Sequence, residues 1–241
     1  MNKGNQRKTG IVLSYASIFV STIVQLIYTP FLVRMLGQSE YGLYSIIASL
    51  IGYLTVLDLG FGNAIVVYTS KYRIKNEKEK EQKMQGMFKI VFYIISCVVT
   101  VIGIILYFNV DRLFGETMTL VELEKAKIMI IILIFNLVIT FSFNIYSSII
   151  NAHERFIFQK VMSILNTLFK PIIMSIAMCI VITIINLLVV FSNYFYCKKV
   201  LKCNVCYSGF DKNIFVPMFF YSIWIFLGTI VDTINWSVDQ F

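Results

Sequence analysis

The chain has 241 residues, 58% of them apolar and 14% charged, against the roughly 25% charged residues of soluble domains. So few polar groups cannot clothe a soluble domain of this length, and the composition points to a membrane. One His and 13 acidic residues against 21 Lys and Arg leave little for acid–base chemistry, so an enzyme is not expected, and the +8 charge speaks of a partner only once it is located.

The apolar segments come in order. The first runs from Ile11 to Val33 behind Lys3, Arg7 and Lys8. It exceeds the ~7–15 residues of a signal core, and no small-residue cleavage site follows. It is long enough to cross a bilayer, which takes about 20 apolar residues. The second, Tyr41 to Tyr68, holds one charge, Asp58. The third is Ile90 to Val110 and the fourth Ile128 to Ile150, both without charge. Val161 to Cys197 is broken only by Lys170. As one helix it would far exceed the ~30 Å hydrocarbon core, so two helices are expected, 161–178 and 180–197, with a break near Cys179. No Gly, Pro or polar turn marks that point. A seventh apolar stretch, 213–241, starts near Ile214.

Charge placement gives an orientation. With residues 1–10 inside and Val161–Cys197 a hairpin, the inside segments carry sixteen Lys and Arg and the outside segments four. Cytoplasmic loops carry that excess, so the N-terminus is expected inside. The run Lys71–Lys89 reads as a solvated cytoplasmic helix against anionic headgroups. Its aromatics are too few to stack bases, so nucleic acid is not an expected partner.

Polar residues inside the spans fall at helical steps. Ser14, Ser17, Ser21, Gln25 and Tyr28 share one face of the first span, and Asn136, Thr140, Asn144, Ser147 and Asn151 one face of the fourth. Ser96, Thr100 and Gly103, and Thr183, Asn186 and Asn193, are weaker versions. Such stripes either line a water-accessible cavity or hydrogen-bond the helices to one another. Charges at membrane depth are costly. They are Asp58 in the glycine-containing DLGFGN, Lys170 directly before Pro171, and Arg34 beyond Pro30. Each is either a functional group or a structural pair or snorkelling anchor. Asp232 and Asp239, seven apart, share a face of the last stretch and suggest ion or proton coupling.

Other signals are weak. Five scattered cysteines imply no disulfide framework. Cys203-x-x-Cys206 has no second pair, so no metal and no cofactor are expected. Cys197 beside Lys198 and Lys199 is an acylation candidate. His153 is a lone loop histidine and reads as structural.

The stretch Tyr28–Tyr72 resembles the opening of the polysaccharide transporter family. These are the Wzx-type O-antigen and capsule flippases of the multidrug/oligosaccharidyl-lipid/polysaccharide exporter superfamily. Pro30, Arg34-x-Leu36-Gly37, Tyr41-Gly42-Leu43-Tyr44 and Asp58-Leu59-Gly60 carry the likeness. So do INAHERF at 150–156, KPIIM at 170–174, NYFYCKK at 193–199 and the final WIFLGTIVDTINWSVDQF. The resemblance implies an all-α polytopic protein: the six-helix N-terminal lobe of a MATE-like exporter fold, 1–212, plus the first helix of a second lobe. The rest of that lobe lies beyond this sequence, as if the chain were truncated. It implies movement of undecaprenyl-diphosphate-linked oligosaccharide across the bacterial inner membrane, driven by an ion gradient. Its partners would be that lipid-linked oligosaccharide, membrane lipids, and the polysaccharide polymerase and assembly proteins. Arg34 and Lys170 would meet the diphosphate, and Gln25, Asn136 and Asn144 the sugar hydroxyls. Asp58 and Asp232 would serve the coupling cation. A drug or lipid II exporter, a polytopic glycan-assembly enzyme and a non-transporting membrane subunit are the alternatives.

Overall fold

The computed structural model describes residues 3–169, 175–203, 205 and 209–238. Among them are seven α-helices and no strand. Helix α1 spans Lys3–Leu54 and kinks at Gly37, whose φ of 80° is open to glycine. The others are α2 Phe61–Ile74, α3 Lys78–Phe114, α4 Leu120–Ala152, α5 Phe156–Phe169, α6 Ser175–Lys199 and α7 Lys212–Val238. Five stretches are long and apolar enough to cross a membrane: Gly37–Ile74, Lys78–Phe114, Leu120–Ala152, Cys179–Lys199 and Lys212–Val231. The chain is a multi-pass membrane protein.

Helix α4 is central and packs against α3, α6, α2 and α1. Its Ile145, Ile149 and Ile150 are fully buried, as are Phe88 and Phe92 of α3 and Ile65 of α2. The opposite side of α3 exposes Ile94, Val98, Val101, Ile105 and Phe108. In water that would be a fault; against lipid tails it is the expected outer surface. Helix α7 joins through rings: Phe61 lies 5.4 Å from Phe88 and 6.3 Å from Phe219, and Phe88 stacks on Phe215 at 5.7 Å.

Two expectations need correction. The stretch 41–68 is not one helix. After Leu54 the chain tightens into a 3-10 turn, Thr55–Asp58, and Leu59 and Gly60 are left-handed (φ 52° and 73°) before α2 begins. Left-handed backbone ends an α-helix. The tight approach of α7 selects glycine at the second position, since a Cβ on Gly60 would stand 2.9 Å from the Ser222 carbonyl oxygen. The second correction concerns Val161–Cys197. Cys179, expected at the break, lies within α6, and the Thr183 hydroxyl donates to its carbonyl at 2.8 Å. Nothing in the sequence around Cys179 interrupts a helix. Pro171, which lacks an N–H and disfavours helix before it, lies in 170–174, outside the described residues.

The helices also run past the apolar windows into charged ends, which sets the two faces of the bundle. At one face the α2–α3 turn, the α4–α5 turn and the segment after α6 lie together. Ser70 Oγ donates to Ala152 O at 3.3 Å, and Lys83 pairs with Asp211 at 3.3 Å. At the other face Ser39 and Glu40 meet Glu122 and Lys125, and Lys127 pairs with Asp111 at 2.6 Å. Thr119 and Glu122 cap α4 reciprocally. The basic segments 71–89, 151–160 and 198–212 thus gather at one end.

Candidate functional site

The interrupted second span places a carboxylate inside the bundle. Asp58 Oδ1 accepts from Asn144 Nδ2 at 2.8 Å, and its Oδ2 accepts from the Gly62 N–H at 3.4 Å. That N–H belongs to the first turn of α2, where helix N–H groups lack intrahelical acceptors and the helix dipole favours negative charge. Asn144 lies eight residues from the end of α4 at Ala152, roughly 12 Å along the helix axis. Asp58 is therefore inside the bundle, half-buried, with a described polar neighbour on each oxygen.

From Asn144 a polar cavity of about 250 Å³ opens between α4, α5 and α6. It is lined by Thr140, Asn144 and Ser147 of α4, by Gln159, Ser163 and Asn166 of α5, and by Asn186 and Asn193 of α6. Its other lining groups are apolar: Phe143, Met162, Val189 and Val190. None of its described lining residues is charged. Asn193 is 7% exposed, and its carbonyl oxygen has no hydrogen-bond partner among the described residues. A buried amide oxygen left unpaired costs about 1–3 kcal/mol, so the cavity wall presents an unused acceptor.

One end of the cavity is cross-braced. Asn186 Nδ2 donates to Asn136 Oδ1 at 3.0 Å and to Thr140 Oγ1 at 2.7 Å, while Asn136 Nδ2 donates to Thr183 Oγ1 at 3.3 Å. Both readings of the α4 stripe thus hold, on successive turns. Asn136 joins helices, whereas Asn144 and Ser147 face the cavity. Replacing Asn186 with Leu strands Asn136 and should lower stability by about 1 kcal/mol. Thermal unfolding in detergent reads this as a lower midpoint; an unchanged midpoint would show that the amides do not hold α4 to α6.

The sequence-derived site residues divide clearly. Asp58 and Asn144 touch, and Asn136 belongs to the separate α4–α6 brace two turns away. Arg34 is exposed on α1, three residues before the Gly37 kink and near the face that holds Glu40 and Lys125, away from the Asp58 end. Gln25 and Asp232 lie in α1 and α7, but their side chains are outside the described residues, as is Lys170 altogether. Ser14, Ser17 and Ser21, the described members of the first-span stripe, are not among the residues lining this cavity, and Ser21 Oγ donates to Ile18 O of its own helix at 2.9 Å. Gln159, Ser163 and Asn166 escaped notice, although their steps of 4 and 3 obey the rule that found the α4 stripe. Gln159 Nε2 donates to Ser147 O at 3.3 Å. No group of three or more metal-ligating side chains occurs among the described residues.

Residues 8–241 match the model of a family described as polysaccharide biosynthesis protein. No curated protein matches the chain. Two solved structures share its fold. A crystal structure of MATE in complex with MaD3S superposes with a TM-score of 0.70 at 13% identity, over 93% of this chain and 55% of that one. A MOP superfamily transporter from Pyrococcus furiosus Vc1 (DSM3638) gives a TM-score of 0.68 at 14% identity, over 93% and 54%. The chain therefore spans about half the length of the solved proteins it resembles.

Proposed function

Since the chain belongs to the polysaccharide biosynthesis protein family, we propose that it forms the N-terminal lobe of a flippase for lipid-linked oligosaccharide in the bacterial inner membrane. In this reading residues 1–212 make the lobe, and α7 opens a second lobe that packs across from it. The cargo is an undecaprenyl-diphosphate-linked repeat unit of O-antigen or capsule, moved at the expense of an ion gradient. Polymerase and assembly proteins are its partners. The basic end, with residues 71–89 and 198–212, faces the cytoplasm.

The observation that carries the reading is the amide-lined cavity beside Asp58. Sugars are recognised by many hydrogen bonds of both senses, and amides offer donor and acceptor on one side chain. Five amides and three hydroxyls supply both. At about 250 Å³ the cavity falls below the ~300–1,000 Å³ of drug-sized sites, which suits one sugar ring at a time. A ring passing through would satisfy the Asn193 oxygen. Asp58 stands at the cavity's edge, where binding or release of a coupling cation alters the Asn144 contact and so the wall. Arg34 and Lys170 remain the proposed cations for the diphosphate. A guanidinium can grip phosphate bidentately and an ammonium acts as a point charge.

Two experiments test this. Cysteines introduced at Lys75 or Lys202 should resist an impermeant maleimide added to intact cells, whereas one at Glu116 should react; labelling at 75 or 202 would invert the orientation. Asn193→Leu should fill the unused acceptor's place without stranding a partner, and should reduce saccharide export at matched protein abundance. Normal export by Asn193→Leu would remove the cavity from the transport path.

A further inference from the structure

At the basic end lies a second polar cavity, of about 360 Å³, that shares no lining residue with the amide cavity. The end of α2 contributes Arg73 and the turn after it Asn76. The start of α3 contributes Lys78, Glu81, Gln82 and Gln85, and the turn after α4 contributes His153. The turn after α6 contributes Lys202 and Cys203. Three of the turns around it pass through left-handed residues, Asn76, Glu154 and Lys202, which fold the helix ends back so that their side chains converge.

The charge balance is positive. Arg73, Lys78 and Lys202 face Glu81, which is 8% exposed and already accepts from Gln85 Nε2 at 3.1 Å. The His153 ring bonds Ile149 O at 2.9 Å. The hydrogen bond with the Cys203 thiol holds its pKa above the usual value, while the Cys203 thiol is itself drawn down, first by the Cys197 thiol and then by His153 and Arg73. Even with Glu81 and Cys203 both ionised, the three fixed cations outnumber the acids. The volume admits one phosphate or diphosphate group with its water. Fixed cations with amide donors are the complement of a phosphate oxygen cluster.

We propose that this cavity binds a phosphate-bearing anion through Arg73 and Lys202. The oxygens come either from the headgroup of an anionic lipid at the inner leaflet or from a soluble phosphate compound. The inner-leaflet placement rests on the orientation proposed above; the anion site itself does not. Arg73 acts as a fork on two oxygens and Lys202 as an exposed point charge over the mouth, while His153 stays bonded to Ile149 O and the Cys203 thiol in the wall. Because the ligand bridges the ends of α2 and α6, its binding ties α2 to a helix that also walls the amide cavity.

The test uses the full chain in nanodiscs. In phosphatidylcholine discs, inorganic diphosphate is titrated against thermal unfolding at constant ionic strength set with chloride. In a second arm, discs carry phosphatidylglycerol with no soluble phosphate, and lipid retention is read by native mass spectrometry. Wild type should show saturable stabilisation in the first arm or retained anionic lipid in the second, and the responding arm names the source. Lys202→Asn keeps a residue that accepts the left-handed backbone and should weaken the response about tenfold, the effect of roughly one lost charge-assisted contact. Arg73→Gln should weaken it further, and the exposed Lys80→Gln should leave it unchanged. No saturable response in either arm, or equal weakening by Lys202→Asn and Lys80→Gln, would overturn the proposal. Both results are independent of saccharide export.

Discussion

Replacing Asp58 with Ala should nearly abolish export while leaving the protein in the membrane. The carboxylate is the charged residue that the described structure places beside the amide cavity, and it accepts from Asn144 and from the first turn of α2. Losing it removes any cation that binds there and strands the Asn144 donor. Asp58→Asn separates the two effects, because an amide oxygen still accepts from Gly62 or Asn144 but carries no charge. If the charge is what coupling needs, Asp58→Asn should fail almost as badly as Asp58→Ala, with initial export rates at least about tenfold lower. If capping α2 is what matters, Asp58→Asn should export near normally. Export per unit of membrane protein, measured for both variants, decides between them.

Gly60→Ala should cost stability heavily, where Gly62→Ala should not. Gly60 has a φ of 73°, and an added Cβ would meet Ile225 Cβ at 2.8 Å and Ser222 O at 2.9 Å. The conformation costs an L-residue about 1–2 kcal/mol, and overpacking adds typically 1–3 kcal/mol. The backbone carbonyl cannot swing aside as a side-chain tip can, so α7 must shift away from α2. Gly62 is helical, and its Cβ would meet Asp58 Oδ2 at 3.4 Å and the Asn144 and Ser148 side chains at 3.5 Å. That is contact without strain. Detergent-solubilised Gly60→Ala should unfold well below wild type and accumulate poorly; Gly62→Ala should unfold near wild type. Equal behaviour would mean that the α2–α7 approach is looser than this packing requires.

These two residues show what the sequence made legible. Asp58 stood out as the charge within its apolar stretch, and the glycines after it suggested a loosened helix. Charge burial and glycine backbone are both local signals. The polar stripe of α4 was equally clear because helical spacing is local too. It could not say which turn braces and which faces a cavity, since that depends on Asn186 and Gln159 approaching from other helices. The expected hairpin over Val161–Cys197 rested on charge and bilayer thickness, but its break was sought at the geometric midpoint, and Cys179 lies inside α6. Arg34 was found for its depth, but depth along one helix does not place a residue beside Asp58. The cavity at the basic end was invisible in sequence, because Arg73 and Lys202 come from helix ends far apart in the chain.

The central claim is that the amide cavity with Asp58 passes a lipid-linked saccharide across the bilayer. The most direct measurement reconstitutes the intact gene product in vesicles whose outer leaflet carries an undecaprenyl-diphosphate-linked oligosaccharide. With an ion gradient imposed, lectin then counts the sugar still outside. The account predicts that wild type depletes the outer pool when the gradient is present, and that Asp58→Asn and Asn193→Leu deplete it no faster than protein-free vesicles. Depletion at the wild-type rate by both variants would contradict it.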